Sequence, residues 1–445
     1  MGTDTRPRNR AVAASFVGTA IEWYDFFIYS TAAALVFNRQ FFPDFAPMVG
    51  TLLAFSTFVV GFVARPIGGV IFGHLGDRRG RKSVLVVTLT LMGVCTFLIG
   101  LLPTYAQIGI WAPILLVTVR FVQGIALGGE YGGAVLMAVE HSHPERRGFF
   151  GSWVQVGVPV GLALSNLVFL LVALLPRDAL QSWGWRVPFL LSAALVAVGF
   201  FIRRRVDESP EFREVKRERG PARRPAVEAV KRSWAPILLC AAAGFAPGTM
   251  FYASMVFGLS YGTDHVGVSR GTMLGLTLLA MVVVLPCLLY FGALSDRLGR
   301  KPVFAGGVAG MALMAFPWLL LVDTGSFGPM LLGYLLISVP FSAAYGTLAP
   351  LLAELFDPEV RYSAVNISYA VSNVFGAGMA PIVATSLLIR TDSGLPIAGY
   401  IVVVCAISFV SLMALRETVR ARRPRGPAAG AVPGADTVVA EGTGR

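Results

Sequence analysis

Long apolar runs separated by short polar segments dominate the chain. Each run has roughly twenty residues, and an α-helix needs about 20 apolar residues to cross ~30 Å of hydrocarbon. Twelve such runs occur, near 11–37, 48–73, 83–102, 110–139, 149–175, 186–203, 234–262, 269–292, 302–322, 328–355, 363–389 and 396–415. The pattern therefore predicts an all-α polytopic membrane protein with twelve transmembrane helices.

A charged segment divides the twelve runs into two sets of six. It contains Pro221 and Pro225 and is too polar to enter a membrane, so it has the composition of a linker. After Arg416 the chain is rich in Ala, Gly, Pro and Arg, which is typical of disorder. The predicted organisation is a cytoplasmic N-terminus at 1–10, a six-helix bundle at 11–203, a cytoplasmic linker at 204–233, a second six-helix bundle at 234–415 and a disordered cytoplasmic tail at 416–445.

Composition and charge placement support this topology. Hydrophobic residues make up 55% of the chain and charged residues 14%, against about 25% charged in soluble domains. The formal net charge of +12 does not indicate nucleic acid, because Lys and Arg concentrate in the termini and in every second loop. Cationic loops stay in the cytoplasm, which places both termini there. Contact with anionic lipid head groups is a second interpretation of the same charges. The alternate loops contain only five cationic residues, Arg39, Arg177, Arg186, Arg270 and Arg390.

The sequence has no pattern that indicates an enzyme or a metal site. Its four cysteines lie in apolar segments without metal-ligand spacing. No G-x-x-x-x-G-K-[ST] phosphate loop occurs. We expect no enzymatic activity, no metal and no cofactor, with protons as the coupling ion.

Two signatures occur twice, about half the chain length apart. Gly73–Lys82 and Gly292–Lys301 share seven of ten positions, G-x-L-x-D-R-x-G-R-K. Each follows the second run of its half, so the chain is one unit written twice. A second signature, a glutamate followed by Pro-Glu-x-Arg, begins at Glu140 and again at Glu354. Glycine four-spacings such as Gly124/Gly128 and Gly157/Gly161 predict close helix packing.

The repeated charges predict a gate at the cytoplasmic side. We expect a network of Asp77, Arg81 and Glu140 to hold the inner mouth shut, because ion pairs at this partly solvated boundary can break and re-form. The alternative is a positive-inside turn without a gating role. The predicted gating residues are Gly73, Asp77, Arg78, Gly80, Arg81 and Glu140, and in the second half Gly292, Asp296, Arg297, Gly299, Arg300 and Glu354.

Several ionisable residues lie inside the apolar runs, where each is a functional candidate by default. Glu22, Asp25 and Tyr29 share one face of the first helix, near mid-membrane. A desolvated carboxyl group there is a candidate proton carrier. Glu130, among four glycines, is a candidate second carrier. Arg65 is expected to make a structural pair with Glu130 or with a nearby loop.

Arg120 is the candidate anion-binding residue of the fourth helix. It is assigned to a substrate carboxylate or to a proton-site carboxylate, because a guanidinium presents two parallel donors. The alternative is a static pair with Asp25. The candidate substrate-binding residues are Arg120, Tyr29, Gln123, Gln155, Tyr252, Asn366 and Tyr369.

The repeated decapeptide closely resembles the loop 2–3 signature of the major facilitator superfamily. Five further segments resemble its metabolite:proton symporter family, whose members carry organic acids, or proline and betaine. They are Ile21–Phe27, Arg65–Gly69, Gly128–Gly133, Trp183–Phe189 and Glu208–Phe212. The resemblance runs from Ala11 to Leu415 and is greatest to shikimate-type members over Thr31–Arg120. It implies two six-helix bundles in a bacterial inner membrane, with proton coupling.

These observations predict a secondary active transporter that takes up a small organic acid with protons by alternating access. We expect a monomer in the lipid bilayer and no nucleic-acid partner. A symporter of a zwitterionic osmolyte is an alternative, although the tail lacks the heptads of a coiled coil. A proton-driven exporter is another, although Gly157–Gly161 interrupts the usual exporter motif. A non-transporting membrane receptor is the remote alternative.

Overall fold

The described part of the chain contains twelve helices that are long and apolar enough to cross a membrane, as predicted. The computed structural model describes residues 6–44, 47–172, 174–219 and 224–418, and all regular structure in these ranges is helical. The predicted tail lies outside the described residues after Thr418. The spans are α1 Arg6–Ala32, α2 Pro47–Arg79, α3 Arg81–Leu101, α4 Trp111–Glu140, α5 Arg147–Val172, α6 Val187–Arg204, α7 Pro225–His265, α8 Arg270–Leu298, α9 Arg300–Asp323, α10 Phe327–Leu355, α11 Arg361–Thr391 and α12 Leu395–Ala414.

The repeated decapeptides are helix ends rather than loops. Helix α2 continues to Arg79, and α3 begins at Arg81, so Gly80 alone separates them. Its φ of 117° is matched by a φ of 107° at Gly299 between α8 and α9. Glycine tolerates this conformation because it lacks a Cβ atom. Each repeat therefore fixes a one-residue corner between two helices.

The charged segment between the halves also contains helical structure. Residues Pro210–Arg219 form a short helix, called here the linker helix. Helix α7 begins at Pro225 and is kinked at Ser233, whose φ of −132° and ψ of 25° are not helical. The sequence predicts that span to start at 234, where the kink separates a polar first part from an apolar second part. The domain boundaries themselves stay a prediction.

Close helix contacts in the first bundle depend on glycine. A Cβ atom at Gly124 would lie 2.4 Å from the carbonyl oxygen of Gly61, and one at Gly128 would lie 2.0 Å from that of Arg65. These distances are far below van der Waals contact, so α2 and α4 pack backbone against backbone. Gly161 similarly admits the carbonyl oxygen of Ala20, which would lie 2.6 Å from a Cβ atom at that position. This packing brings the charged residues of α1, α2 and α4 into one interior.

The two bundles meet through α2 against α11 and through α5 against α8 and α10. At the cytoplasmic end both crossings occur at a glycine of the repeat. A Cβ atom at Gly73 would lie 2.8 Å from Cα of Ser363, and one at Gly292 would lie 2.8 Å from the carbonyl oxygen of Gly148. The first repeat thus contacts the second bundle, and the second repeat contacts the first.

Candidate functional site

The aspartates of the two repeats bind helix N-termini of the opposite bundle. Asp77 accepts hydrogen bonds from the backbone N–H groups of Tyr362 (3.1 Å) and Ser363 (2.9 Å) at the start of α11. Asp296 accepts them from Gly148 (2.7 Å) and Phe149 (3.0 Å) at the start of α5. The first N–H groups of a helix lack intrahelical partners and carry partial positive charge, so a carboxylate is favourable there. These bonds join the cytoplasmic ends of the two bundles.

The predicted second-half ion network is present within one bundle. Arg300 Nη1 lies 2.9 Å from Asp296 Oδ1, and its Nη2 and Nε lie 3.1 and 3.2 Å from the two carboxylate oxygens of Glu354. Both members of the Arg300–Glu354 pair are buried. The exposed Arg297 and its counterpart Arg78 take no part in the described contacts. The network therefore holds α8, α9 and α10 together.

The first-half network contains the equivalent arginine–glutamate pair, but an arginine of the other bundle takes the place of the aspartate. Arg81 Nε lies 3.7 Å from Glu140 Oε2, while Asp77 bonds to α11 instead of forming an ion pair with Arg81 among the described contacts. Arg361 of α11 is the third member, with Nη1 3.0 Å from Glu140 Oε1. Glu140 is thus held by one cation from each bundle.

The linker completes this cytoplasmic cluster, which the sequence reasoning missed. Glu211 of the linker helix accepts hydrogen bonds from Arg147 of the first bundle and from Arg361 of the second. Ser209 donates to Glu140. Glu208 accepts from the backbone N–H of Arg81 at 3.0 Å and so caps α3. Two features of the sequence could have indicated this cluster. The acidic and serine residues of the linker lie in the segment Glu208–Phe212, and Arg147 and Arg361 are the last residues of the two Pro-Glu-x-Arg signatures.

The charge environment of Glu211 keeps it ionised. Burial by itself would raise the pKa of this carboxyl group, but the neighbouring Arg361 and Arg147 outweigh burial and hold the pKa below its usual range. The side chain lies outside the membrane spans, on the linker helix. Glu211 therefore bridges the two bundles as a carboxylate across the physiological pH range.

Within the first bundle, Asp25 is connected to Arg120 through a chain of hydrogen bonds. Asp25 is fully buried and accepts from Ser192 Oγ at 2.6 Å and from Thr96 Oγ1 at 2.8 Å. Gln123 Nε2 donates to Thr96 Oγ1 at 2.7 Å, and Arg120 Nη1 donates to Gln123 Oε1 at 2.6 Å. A change of charge on Asp25 can therefore reach Arg120 through two polar side chains.

Tyr29 also belongs to this region. The Arg120 guanidinium carbon lies 4.1 Å from the centroid of the Tyr29 ring, which is cation–π geometry. The Tyr29 hydroxyl forms a hydrogen bond with Thr57 of α2. The structure thus brings Asp25, a predicted proton carrier, close to the predicted substrate-binding residues Arg120, Gln123 and Tyr29.

Glu130 has a different partner from the one predicted. It forms a buried ion pair with Arg203 of α6, and its other oxygen accepts from Thr88 Oγ1 at 2.7 Å. The expected pair between Arg65 and Glu130 is therefore wrong. Arg203 fits beside α1 at Gly18. A Cβ atom at that position would lie 1.8 Å from the Arg203 guanidinium, so only glycine leaves enough room. Glu22 is buried as well, and the charged groups that act on it include Glu130, Arg65 and Arg203.

The remaining candidates lie where the bundles face each other. Gln155 Nε2 donates to the carbonyl oxygen of Tyr345 at 3.1 Å. Tyr369 stacks on Tyr131, with ring centroids 3.4 Å apart and an interplanar angle of 7°. The Tyr252 ring lies 6.0 Å from that of Phe62. Each of these contacts joins the first bundle to the second.

Asn366 has a packing contact rather than an open side chain. Its Oδ1 accepts from the backbone N–H of Gly132 at 2.8 Å, which holds α11 against α4.

Within the described ranges, no three His, Cys, Asp or Glu side chains lie close enough together to hold a metal ion.

Comparisons with known proteins agree on the family. The profile of the Major Facilitator Superfamily matches residues 15–381 and 263–440. A shikimate transporter of Escherichia coli K12 is 39% identical over 420 residues, which cover 93% of this chain and 95% of the relative. A glycine betaine/proline/ectoine/pipecolic acid transporter of Dickeya dadantii is 35% identical over 422 residues, 92% of this chain and 83% of the relative. The solved proton:xylose symporter XylE has a TM-score of 0.77 at 16% identity, covering 94% of this chain and 97% of its own.

Proposed function

Because the chain belongs to the major facilitator superfamily, we propose that it is a proton-coupled symporter that takes up a small organic acid by alternating access. The chain is a transporter and not an enzyme, as its relatives are. The observation that carries the proposal is the hydrogen-bonded chain from Asp25 to Arg120. It links a mid-membrane carboxyl group to a buried cation, which are the two groups that proton coupling requires.

In the proposed cycle, Asp25 receives a proton from the outer side. The neutral carboxyl group then attracts Arg120 less strongly, and the chain through Thr96 and Gln123 relaxes. Proton release to the cytoplasm restores the carboxylate. The membrane potential contributes about 2.3 kcal/mol per charge per 100 mV to this inward step. Glu22 and Glu130 are further proposed proton carriers on the cytoplasmic side of Asp25.

The cytoplasmic cluster is the proposed inner gate. Asp77, Asp296 and Glu211 each join one bundle to the other, so inward opening must break all three connections. Charges at the cytoplasmic end suit this role because water that enters as the gate opens can replace each partner. Helices α3 and α4 carry residues of both the gate and the hydrogen-bonded chain from Asp25 to Arg120, so motion at one reaches the other.

The proposed substrate class is a carboxylate metabolite. The relatives are named for shikimate and for betaine, proline, ectoine and pipecolic acid, and every one of these solutes has a carboxylate group. A zwitterionic osmolyte is therefore the second candidate, favoured by the 35% identity of the betaine relative. An exporter and a receptor remain weaker candidates without a structural observation in their favour. Localisation in a bacterial inner membrane, cytoplasmic termini, a monomeric state and protons as the coupling ion are part of the same proposal.

Purified full-length protein in liposomes tests the proposal. An internal pH dye reports proton entry when a gradient of shikimate, 2-oxoglutarate, citrate, protocatechuate or glycine betaine is imposed. We expect one acid to carry protons inward. Solute entry with no dye response would replace symport by facilitation or exchange, and entry of betaine alone would establish the osmolyte alternative. Binding without accumulation would indicate a receptor.

A further inference from the structure

Arg65 lies in a buried aromatic cage without a hydrogen-bonding partner for two of its nitrogens. It is 3% exposed, and its guanidinium carbon lies 4.7, 5.0 and 5.7 Å from the ring centroids of Phe62, Phe26 and Trp23. Its Nε and Nη2 atoms are buried and have no hydrogen-bond partner among the described residues. The backbone carbonyl oxygen of Arg65 packs against Gly128 of α4, where a side chain would not fit, and this contact fixes the position of Arg65.

This arrangement is costly for a cation. A buried charge without hydrogen bonds costs several kcal/mol, and cation–π contacts return about 0.5 to 2 kcal/mol each. Four other buried arginines avoid the cost by pairing with a carboxylate, and Arg120 instead donates to Gln123. The four pairs are Arg81 with Glu140, Arg203 with Glu130, Arg300 with Glu354 and Arg361 with Glu140. Arg65 differs from all four, so its donors are available to an incoming anion.

Further polar atoms with unmet hydrogen-bonding capacity lie at the same bundle interface. The hydroxyl groups of Tyr131 and Tyr252 and the Oε1 atom of Gln155 are buried and make no hydrogen bond of normal geometry within the described part of the chain. Tyr252 of the opposite bundle contacts Phe62 of the aromatic cage, with ring centroids 6.0 Å apart. Unmet donors and acceptors concentrated at one place indicate a polar ligand rather than a packing core.

We propose that Arg65 binds the carboxylate of the transported solute. The planar guanidinium presents parallel N–H donors that match the two oxygens of a carboxylate. The Phe62, Phe26 and Trp23 rings exclude water, which strengthens that contact. Tyr252, Tyr131 and Gln155 then bind hydroxyl or amino groups on the rest of the solute. This inference rests on the proposed function, and it assigns the solute carboxylate to Arg65 while Arg120 stays with the proton site.

The test compares each acid with its own methyl ester, which removes the charge and keeps the rest of the solute. Purified full-length protein in lipid nanodiscs is titrated with shikimate, protocatechuate or glycine betaine and with the three methyl esters. We expect wild-type protein to prefer the acid by about 100-fold, the value of two charge-assisted hydrogen bonds. Arg65→Gln should lower acid affinity to that of the ester, with ester affinity unchanged, which also shows that the variant folds.

Three variants make the result specific. Arg65→Lys should give an intermediate preference, because an ammonium group is a point charge without the parallel donors. Arg270→Gln removes an exposed cation at the start of α8 and should keep the wild-type ratio. If Arg65 serves only to balance Glu22, then Arg65→Gln will keep the acid-to-ester ratio within about twofold of wild type, and the inference is overturned. Loss of the ratio in Arg120→Gln alone would place the carboxylate at Arg120.

Failure of this inference is distinguishable from failure of the proposed function. An unchanged ratio in Arg65→Gln, together with proton entry in the liposome assay, leaves symport standing and rejects the Arg65 site. A wild-type protein that accumulates only solutes without a carboxylate rejects the organic-acid proposal and the Arg65 site together.

Discussion

Two buried carboxyl groups of the first bundle are stabilised in different ways. Asp25 accepts only hydroxyl hydrogen bonds, from Ser192 and Thr96, whereas Glu130 forms an ion pair with Arg203. A hydroxyl can bind either protonation state of a carboxyl group, because it both donates and accepts. An ion pair favours the charged state alone. Asp25 is therefore the better-suited proton carrier of the two, whereas Glu130 must break its ion pair with Arg203 before it can accept a proton.

Neutralising Asp25 should uncouple transport from protons. In Asp25→Asn the side chain can no longer bind and release a proton, while its size and hydrogen bonds are nearly kept. We expect uphill accumulation of solute and the internal pH signal to be lost, with counterflow exchange of solute retained. Parallel assays of both activities in liposomes check this. Full accumulation by Asp25→Asn would move the proton site to Glu22 or Glu130.

Removing Arg203 should destabilise the protein through Glu130. Arg203→Gln leaves a buried carboxylate unpaired, which costs about 3 to 5 kcal/mol. The double variant Arg203→Gln/Glu130→Gln removes both charges, and we expect it to recover most of that loss. Thermal unfolding in detergent compares the three proteins. Equal melting temperatures for the single and double variants would contradict the pairing.

At the scale of the element, four acidic side chains from elsewhere in the chain cap helix N-termini. Helices α3, α9 and α11 begin without a side-chain hydrogen bond from their own N-cap residue. Glu208 caps α3 and Glu417 caps α9, at 3.0 and 3.1 Å from the first N–H groups. Asp77 and Asp296 do the same for α11 and α5. The repeat in sequence is therefore also a repeat of capping contacts.

Neutralising either capping aspartate should open the inner gate. Asp77→Asn and Asp296→Asn each remove a charge from two backbone hydrogen bonds, and hydrogen bonds to charged groups contribute about 1.5 to 3 kcal/mol. We expect uptake to fall at least about tenfold while the amount of protein in the membrane stays normal. The exposed Asp178→Asn is the matched control. Normal uptake by both aspartate variants would show that the repeated decapeptides set the membrane topology and have no gating role.

Helix boundaries show where sequence patterns are insufficient. Apolar content predicts the end of α2 at 73, yet the helix continues to Arg79. Hydropathy reports where a helix leaves hydrocarbon, whereas the helix ends where backbone hydrogen bonding ends, here at Gly80. Asp77 caps α11 only because this extra turn carries it beyond the membrane core.

For the whole molecule, the linker helix bonds to both bundles and is more than a tether between them. Glu211 accepts hydrogen bonds from Arg147 of one bundle and from Arg361 of the other. These cations keep its pKa below the usual range despite burial. A depressed pKa means that the carboxylate stabilises closure above the ordinary value for Glu, about 4.3, and that this contribution is lost as pH falls further.

The contribution of Glu211 to closure should accordingly be constant from pH 8 to about 5 and should weaken only below about 4.3. Spin labels at Glu145 and Lys231, on opposite bundles, report the closed fraction by electron–electron distance. Glu211→Gln should open the gate at every pH and remove the acid-dependent part. Glu214→Gln, an exposed neighbour on the same helix, should behave as wild type. A difference between the wild type and Glu211→Gln that already shrinks between about pH 7 and 5 would contradict the assignment.

The sequence alone determined the twelve spans, the two halves, the repeated gate motifs and the ionisable residues inside the membrane. These features are local, because apolar length and residue type follow directly from the order of the chain. The tertiary structure decided the partners. Glu130 pairs with Arg203 instead of Arg65 because Gly18 leaves room for one guanidinium and the cage of α1 and α2 encloses the other. Such distances between helices arise only when the bundle packs, so no pattern along the chain could supply them.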